Sequence, residues 1–154
     1  MRHAVDSRCR RIDSFFVRAS DENIDEEISS DLARYGAILA SGYVERCIEV
    51  IILDRLRTRA QPRVLQFVKS WFKKGSNYDC EAIFQLLMRF DVDWGEKFKI
   101  FTNENPELIE SMTSIYTLRN SVAHGGDQNR GLKGVKTLFE DAKIVIEGVI
   151  EATI

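Results

Sequence analysis

The stretch TLRNSVAHGG, residues 117–126, closes an amphipathic helical pattern and contains one of the two histidines in the chain. The other histidine, His3, lies near a terminus, where chains often fray, so His124 is the only internal one. Residues four apart share a helix face, which predicts that Asn120 lies beside His124. Arg119 is rotated by about 140° from His124 on an unbroken helix, so it can join His124 only by extending its side chain or across a subunit interface.

Chain length and net charge limit the number of domains and the kinds of partner that are expected. The 154 residues are enough for one domain with a real core, and we predict a single domain over residues 1–154. In this interpretation residues 1–22 form an N-terminal helix plus linker, and residues 23–154 form the bundle core. The net charge is only −2, whereas a general duplex-binding protein is usually more basic, so any contact with nucleic acid must be local.

Cysteine usage and hydropathy indicate the compartment. The three cysteines include no C-x-x-C pair, which favours buried, reduced thiols in a cytosolic protein. No signal peptide is visible, and no apolar run is long enough to span a bilayer. The sequence therefore predicts a soluble, cytoplasmic protein with no membrane partner.

Helical periodicity runs through the chain, with no strand pattern, internal repeat or low-complexity tract, so the predicted fold class is all-α. Helices are expected over residues 4–19, from 23 to about 60, and over 62–72, 80–90, 106–123 and 135–152. Their starts are marked by cap and proline signals at Asn23 with Glu26, Pro62, Asn77 or Asp79, and Asn105-Pro106, while Asp93 is expected to cap a short turn.

The second of these patterns is very long and should form the centre of the bundle. Gly36 and Gly42 interrupt it; because glycine costs helix stability relative to alanine, both indicate the close approach of another backbone. Its expected core-facing residues are Ile28, Leu32, Tyr35, Ile38, Leu39, Gly42, Tyr43, Cys47, Val50, Ile51 and Leu56.

Three charged features leave alternatives open. Glu45 follows the small-residue centre of the long helix and is either buried and paired or exposed on the surface. Arginines at 55, 57, 59 and 63 either complement a helix C-terminus or form an RNA-binding flank. Those at 8, 10, 11 and 18 are better explained as a solvated helix face than as an RNA contact.

The motif Arg119-Asn120-x-x-x-His124 resembles the R-x4-6-H motif of the HEPN superfamily, in the form where a polar residue follows the arginine. Residues 31–45, DLARYGAILASGYVE, are similar to the first long helix of the RiboL-PSP-HEPN family. Residues 119–125 and the amphipathic helix after them are similar to its C-terminal part. Together these segments extend the resemblance over about residues 25–152.

This resemblance implies an antiparallel helical bundle with one very long central helix, which dimerises and so brings two copies of the motif together. It also implies a metal-independent endoribonuclease that needs no cofactor. Such proteins act in toxin–antitoxin, phage-defence or RNA-processing settings, so an antitoxin or another protein is a further expected partner.

The residues suit that chemistry. Cleaving RNA without a metal needs a base for the ribose 2′-hydroxyl, an acid for the leaving 5′-oxygen, and positive charge near the phosphorane. A histidine such as His124 can serve either proton-transfer role, and a symmetric dimer supplies two. Arg119 offers a forked set of donors to phosphate oxygens, and Asn120 can orient its neighbours.

Other residues are expected to assist, and other enzyme classes are disfavoured. We expect Arg130 and Lys133, in a glycine-rich loop over 127–134, to bind RNA, and Glu45 to support the site. The sequence shows no His, Cys and carboxylate cluster of the kind that holds catalytic zinc. It also has no glycine-rich loop between a strand and a helix, as a P-loop enzyme would require.

Two alternatives remain. Asn120, His124 and the glycine pair could simply form a C-terminal helix cap. The chain could also be an inactive HEPN-like dimer that binds RNA or a protein. An enzyme requires His124 to be exposed, whereas a binding module tolerates a buried His124.

Overall fold

The computed structural model describes residues 1–126 and 130–154 and confirms the all-α fold. The described residues contain no strand and form seven helices: α1 (Arg2–Ala19), α2 (Glu26–Leu56), α3 (Pro62–Phe72), α4 (Cys80–Phe90), α5 (Val92–Glu104), α6 (Pro106–Ala123) and α7 (Leu132–Ala152).

Local signals placed several helix ends correctly. Pro62 occupies the first turn of α3, where backbone N–H groups have no acceptor within the helix. The missing N–H of proline therefore costs no helical hydrogen bond. Asp79 caps α4, and its carboxylate accepts a hydrogen bond from the Ala82 N–H at 2.8 Å. Asn23 was the wrong start for α2, because the cap is Asp25, which accepts from the Glu27 N–H at 2.9 Å.

The prediction for residues 91–105 was wrong for α5 and correct for the start of α6. The expected short turn at Asp93 is the 13-residue helix α5, whose N-cap is Asp91, which accepts from the Asp93 N–H. Asn105 is the N-cap residue of α6 and Pro106 follows it, as predicted, although the Asn105 side chain makes no capping bond. Its amide donates instead to the Phe101 carbonyl of α5 at 2.8 Å.

The predicted loop over 127–134 is only partly observable, since residues 127–129 lie outside the described residues. Its second half is a helix, because α7 begins at Leu132, three residues earlier than Val135. Helical periodicity becomes visible in a sequence only at the first buried position, which here is Val135.

The core lies around α2, which packs most extensively against α7 and also contacts α1, α3 and α6. The small residues at the centre of α2 allow this close packing. At Gly36, a Cβ would lie 3.1 Å from the Phe16 ring of α1 and 3.3 Å from Val135 of α7. Gly42 has no neighbour within 4 Å, and the atoms nearest Gly36 belong to side chains, so the expected close approach of another backbone occurs at neither glycine.

The predicted core face of α2 was partly wrong. Ile28, Tyr35 and Ile38 are 54%, 51% and 43% exposed. The intramolecular core instead takes the neighbouring small-residue face, including Ala33, Ala37, Ala40 and Val44. An apolar stripe on α2 combines the exposed Ile28, Tyr35 and Ile38 with the half-buried Leu39 and Gly42, and we call it the α2 stripe.

The three cysteines differ in burial. All three are free; Cys47 and Cys80 are buried, while Cys9 is half-buried. Burial raises the pKa of the Cys47 and Cys80 thiols to about 12 and that of Cys9 to about 11. In the described part of the chain, no helix combines the length and apolar character that crossing a membrane requires.

Candidate active site

The C-terminus of α6 is closed by two backbone hydrogen bonds that its glycine pair makes possible. Gly125 adopts a left-handed φ of +70°, which glycine reaches without strain. The Gly125 N–H donates to the Val122 carbonyl at 3.2 Å, and the Gly126 N–H donates to the Ser121 carbonyl at 2.8 Å. This pair of bonds is a Schellman motif, and it fixes the direction of the chain just after His124.

His124 is the residue that directly follows the last turn of α6. Its backbone N–H donates to the Asn120 carbonyl at 3.1 Å and to the Ser121 carbonyl at 3.2 Å. The residue is exposed, in the placement that an enzyme requires. Because the capping contacts use only the His124 backbone, the imidazole is available to a substrate.

Arg119 and Asn120 form the second part of the motif. The Arg119 Nη1 atom donates to the Asn120 Oδ1 atom at 3.1 Å, and both residues are half-buried. This bond uses one of the five guanidinium N–H donors, so the fork can still contact phosphate oxygens.

Glu45 of α2 faces this part of α6. It is half-buried, and burial raises its pKa above the ordinary carboxylate value, while the nearby Arg119 charge partly offsets that increase. The packing of α2 against α6 therefore brings a carboxylate into the electrostatic field of the motif arginine. Neither of the two placements that the sequence left open applies fully, because Glu45 is half-buried and, within the described residues, forms no ion pair with a cation.

Two tyrosines complete the polar surroundings of Glu45. Tyr78 precedes α4 and Tyr116 lies three residues before Arg119; both are buried, at 5% and 4% exposure. Burial raises the pKa of both hydroxyls, and the Glu45 charge raises each further. Both phenols therefore stay protonated at neutral pH and can act as hydrogen-bond donors.

The sequence did not single out Tyr116, because its helical spacing is that of a core residue. The available signal was the hydroxyl itself, since a buried tyrosine usually places its O–H beside a polar partner. Tyr78 carried no helical signal at all, because it lies in the 73–79 linker between α3 and α4.

The two residues expected to bind RNA lie elsewhere on the surface. Arg130 is exposed and lines a pocket of about 440 Å³ together with Ile109, Glu110, Ser111, Thr113, Ser114 and Leu138. That pocket faces the first half of α6, whereas Arg119 lies near the helix end. Lys133 is exposed in the first turn of α7. The structure therefore does not place Arg130 beside Arg119.

Over residues 1–126 and 130–154, no group of three or more His, Cys, Asp and Glu side chains is arranged to hold a metal ion. The site in one chain combines the His124 imidazole, the Arg119 guanidinium, the Asn120 amide and the Glu45 carboxylate.

The burial of Glu45 leads to a stability prediction. Glu45→Gln should raise the midpoint of thermal unfolding at pH 7 by up to a few degrees, because it removes a charge that burial disfavours. The raised pKa means that the folded chain holds this proton more tightly than the unfolded chain. The ionised carboxylate therefore costs stability above both pKa values, and the cost disappears below the ordinary value of 4.5.

Thermal unfolding of both proteins between pH 7 and pH 4 checks this expectation. The advantage of Glu45→Gln should shrink as the pH falls. Glu22→Gln, at an exposed position between α1 and α2, is the matched control and should show no such trend. A variant that is less stable than the parent at pH 7, or whose advantage grows in acid, would contradict the assignment of a burial cost to Glu45.

Comparison with known proteins agrees with the all-α fold. A family model, RiboL-PSP-HEPN, matches residues 4–153, which is nearly the whole chain. No curated protein and no solved structure gives a significant match.

Proposed function

The chain belongs to the RiboL-PSP-HEPN family of the HEPN superfamily, and on that premise we propose that it is a metal-independent endoribonuclease acting on single-stranded RNA. The observation that carries the proposal is the exposed His124, five residues after an arginine that lies in the field of a half-buried carboxylate. A binding module would have no need to keep that imidazole at the surface.

The proposed reaction is an attack of the ribose 2′-hydroxyl on the adjacent phosphorus. The O2′–P bond forms, the P–O5′ bond breaks, and the products are a 2′,3′-cyclic phosphate and a 5′-hydroxyl. One His124 removes the 2′-hydroxyl proton and a second His124 protonates the leaving 5′-oxygen. Arg119 stabilises the charge on the phosphorane, and Asn120 orients Arg119 through the bond between their side chains.

Glu45 has a supporting role in this proposal. Its carboxylate attracts the Arg119 guanidinium and so restricts where that long side chain can lie. Arg130 and Lys133 act further along the surface, as contacts to RNA phosphates outside the reacting centre.

Two histidines require two chains, so we propose a homodimer with the active site shared between the subunits. The α2 stripe supports this arrangement, because it leaves large apolar side chains exposed on the same helix that carries Glu45. A second copy of the chain would cover the stripe and bring its own motif to the same region. An effector role in a toxin–antitoxin or phage-defence system, with an antitoxin as protein partner, is the biological setting that we propose.

A cleavage assay with a chelator tests the proposed chemistry. Cleavage of a labelled single-stranded RNA should continue in excess EDTA, because side chains perform both proton transfers. The 5′ fragments should end in 2′,3′-cyclic phosphate, or in 3′-phosphate after its hydrolysis. Activity that EDTA abolishes and magnesium restores would reject this mechanism, and RNA binding without cleavage would favour the inactive binding module.

A further inference from the structure

Positive charge is concentrated in one segment of this nearly neutral chain. Residues 55–78 contain seven of the 22 lysines and arginines and none of the 24 aspartates and glutamates. The segment comprises the end of α2, all of α3 and most of the 73–79 linker. The remainder of the chain is therefore acidic, and an anionic partner would be drawn to this part of the surface.

The outer face of α3 presents apolar and aromatic side chains among these charges. Phe67 is 71% exposed and Val64 is 49% exposed, although the helix packs against α2. Arg63, Phe67 and Trp71 are spaced four residues apart and so share one face. Trp71 is half-buried, so part of its ring system also reaches the surface.

This face borders a pocket of about 250 Å³ between α3 and the end of α4. Its walls are Phe67, Val68, Trp71, Arg89 and Phe90. Three aromatic rings and a guanidinium are the groups that stack on nucleobases. Within the described part of the chain, Arg63, Lys69, Lys73, Lys74 and Arg89 make no ion pair with a carboxylate.

The outer face of α3 is separated from the active site by only a few residues of the chain. Lys73 and Lys74 are exposed at the end of α3, and the buried Tyr78 beside Glu45 lies five positions after Lys73. Five residues span at most about 17 Å, so a single strand leaving the site can reach these lysines.

We propose that the outer face of α3 is a binding surface for single-stranded RNA. The pocket between α3 and α4 takes an unpaired base, and Lys73 and Lys74 contact the phosphates that lead to it. The inference takes its substrate class from the proposed ribonuclease function. A single strand fits better than a duplex, because only unpaired bases offer their faces for stacking.

The test measures binding of a fluorescent 12-nucleotide 2′-O-methyl RNA, which cannot be cleaved by 2′-hydroxyl attack, to the full chain by anisotropy. Phe67→Ala should weaken binding about 5- to 150-fold, the range found when one stacked base loses its aromatic partner. The double variant Lys73→Gln with Lys74→Gln should lower the slope of log K against log salt by about 1.4, or roughly 0.7 for each phosphate contact. A duplex of the same sequence should bind less tightly than the single strand.

Matched controls remove the same chemistry from other exposed positions. Arg10→Gln with Arg11→Gln removes two cations from α1, and Ile100→Ala removes an apolar side chain that is 59% exposed on α5. Both should bind the oligonucleotide as the parent does. Unchanged binding by the α3 variants, or no binding by the parent, would overturn the inference. A change in oligomeric state of Phe67→Ala without loss of affinity would also overturn it, because the surface would then be a contact between copies of the chain.

The same measurements separate this inference from the proposed activity. A parent that binds the uncleavable strand through α3 but cleaves no RNA would support the surface and reject the ribonuclease. A parent that cleaves RNA while the α3 variants bind like the parent would reject only the surface.

Discussion

Replacing His124 by alanine is expected to lower the rate of RNA cleavage by about 10²- to 10⁴-fold, the usual contribution of a positioned acid or base. The fold should survive, because His124 is exposed and contacts the α6 cap only through its backbone N–H. Alanine retains that N–H. Initial rates on a labelled RNA, measured beside the midpoint of thermal unfolding, check both parts of this expectation.

His3→Ala is the matched control, since it removes the only other imidazole from an exposed position on α1. It should cleave at the parental rate. A folded His124→Ala that cleaves as fast as the parent would show that the ribonuclease assignment at this motif is wrong. A large loss of thermal stability would instead show that the imidazole supports the α6 end, as a plain helix cap would require.

The sequence predicted the helices best where one residue decides the local backbone. Pro62 and the cap at Asp79 fixed the starts of α3 and α4, and the glycine pair fixed the end of α6. Each of these signals acts within one turn of helix, so no knowledge of the rest of the fold is needed to interpret it. The motif from Arg119 to His124 could be recognised in the sequence for the same reason, because its residues lie close together in the chain.

The errors arose where packing between distant segments decides the outcome. Periodicity identified an apolar face on α2 but could not tell that Ile28, Tyr35 and Ile38 would remain outside the intramolecular core. The side chain of Asn105 could cap α6 or bond to the preceding helix, and only the packing of its neighbours decides between these two hydrogen bonds. Here the acceptor is the Phe101 carbonyl of the preceding helix.

In the candidate site too, local signals were predicted from the sequence, whereas contacts between distant segments were not. The proximity of Glu45 to Arg119 depends on how α2 packs on α6, over a separation of 74 residues, so the sequence could only leave its placement open. Tyr78 joins the site because the 73–79 linker returns to α2. Arg130 lies beside the first half of α6, although it follows the motif closely in sequence.

Replacing Arg119 by alanine is the second change with a large expected effect. Cleavage should fall by about 10²- to 10³-fold, as when an enzyme loses one donor to a developing oxyanion, and RNA affinity should fall as well. Arg119→Lys should recover only part of the rate, because an ammonium keeps the charge but lacks the planar fork. Asn120→Ala should be milder, since it removes only the 3.1 Å bond that orients the guanidinium. Single-turnover rates and Kd values for each variant separate chemistry from binding.

A mixed dimer tests whether the site is shared between the subunits. An unmodified chain and a His124→Ala chain, co-expressed with different tags and purified through both, give a dimer with both copies of Arg119 and a single His124. If one cleavage event uses a histidine from each chain, this dimer should be nearly as slow as the His124→Ala homodimer. A mixed dimer with about half the parental rate would place all the necessary groups within one chain. The α2 stripe would then need another occupant, because its burial would no longer be required for catalysis.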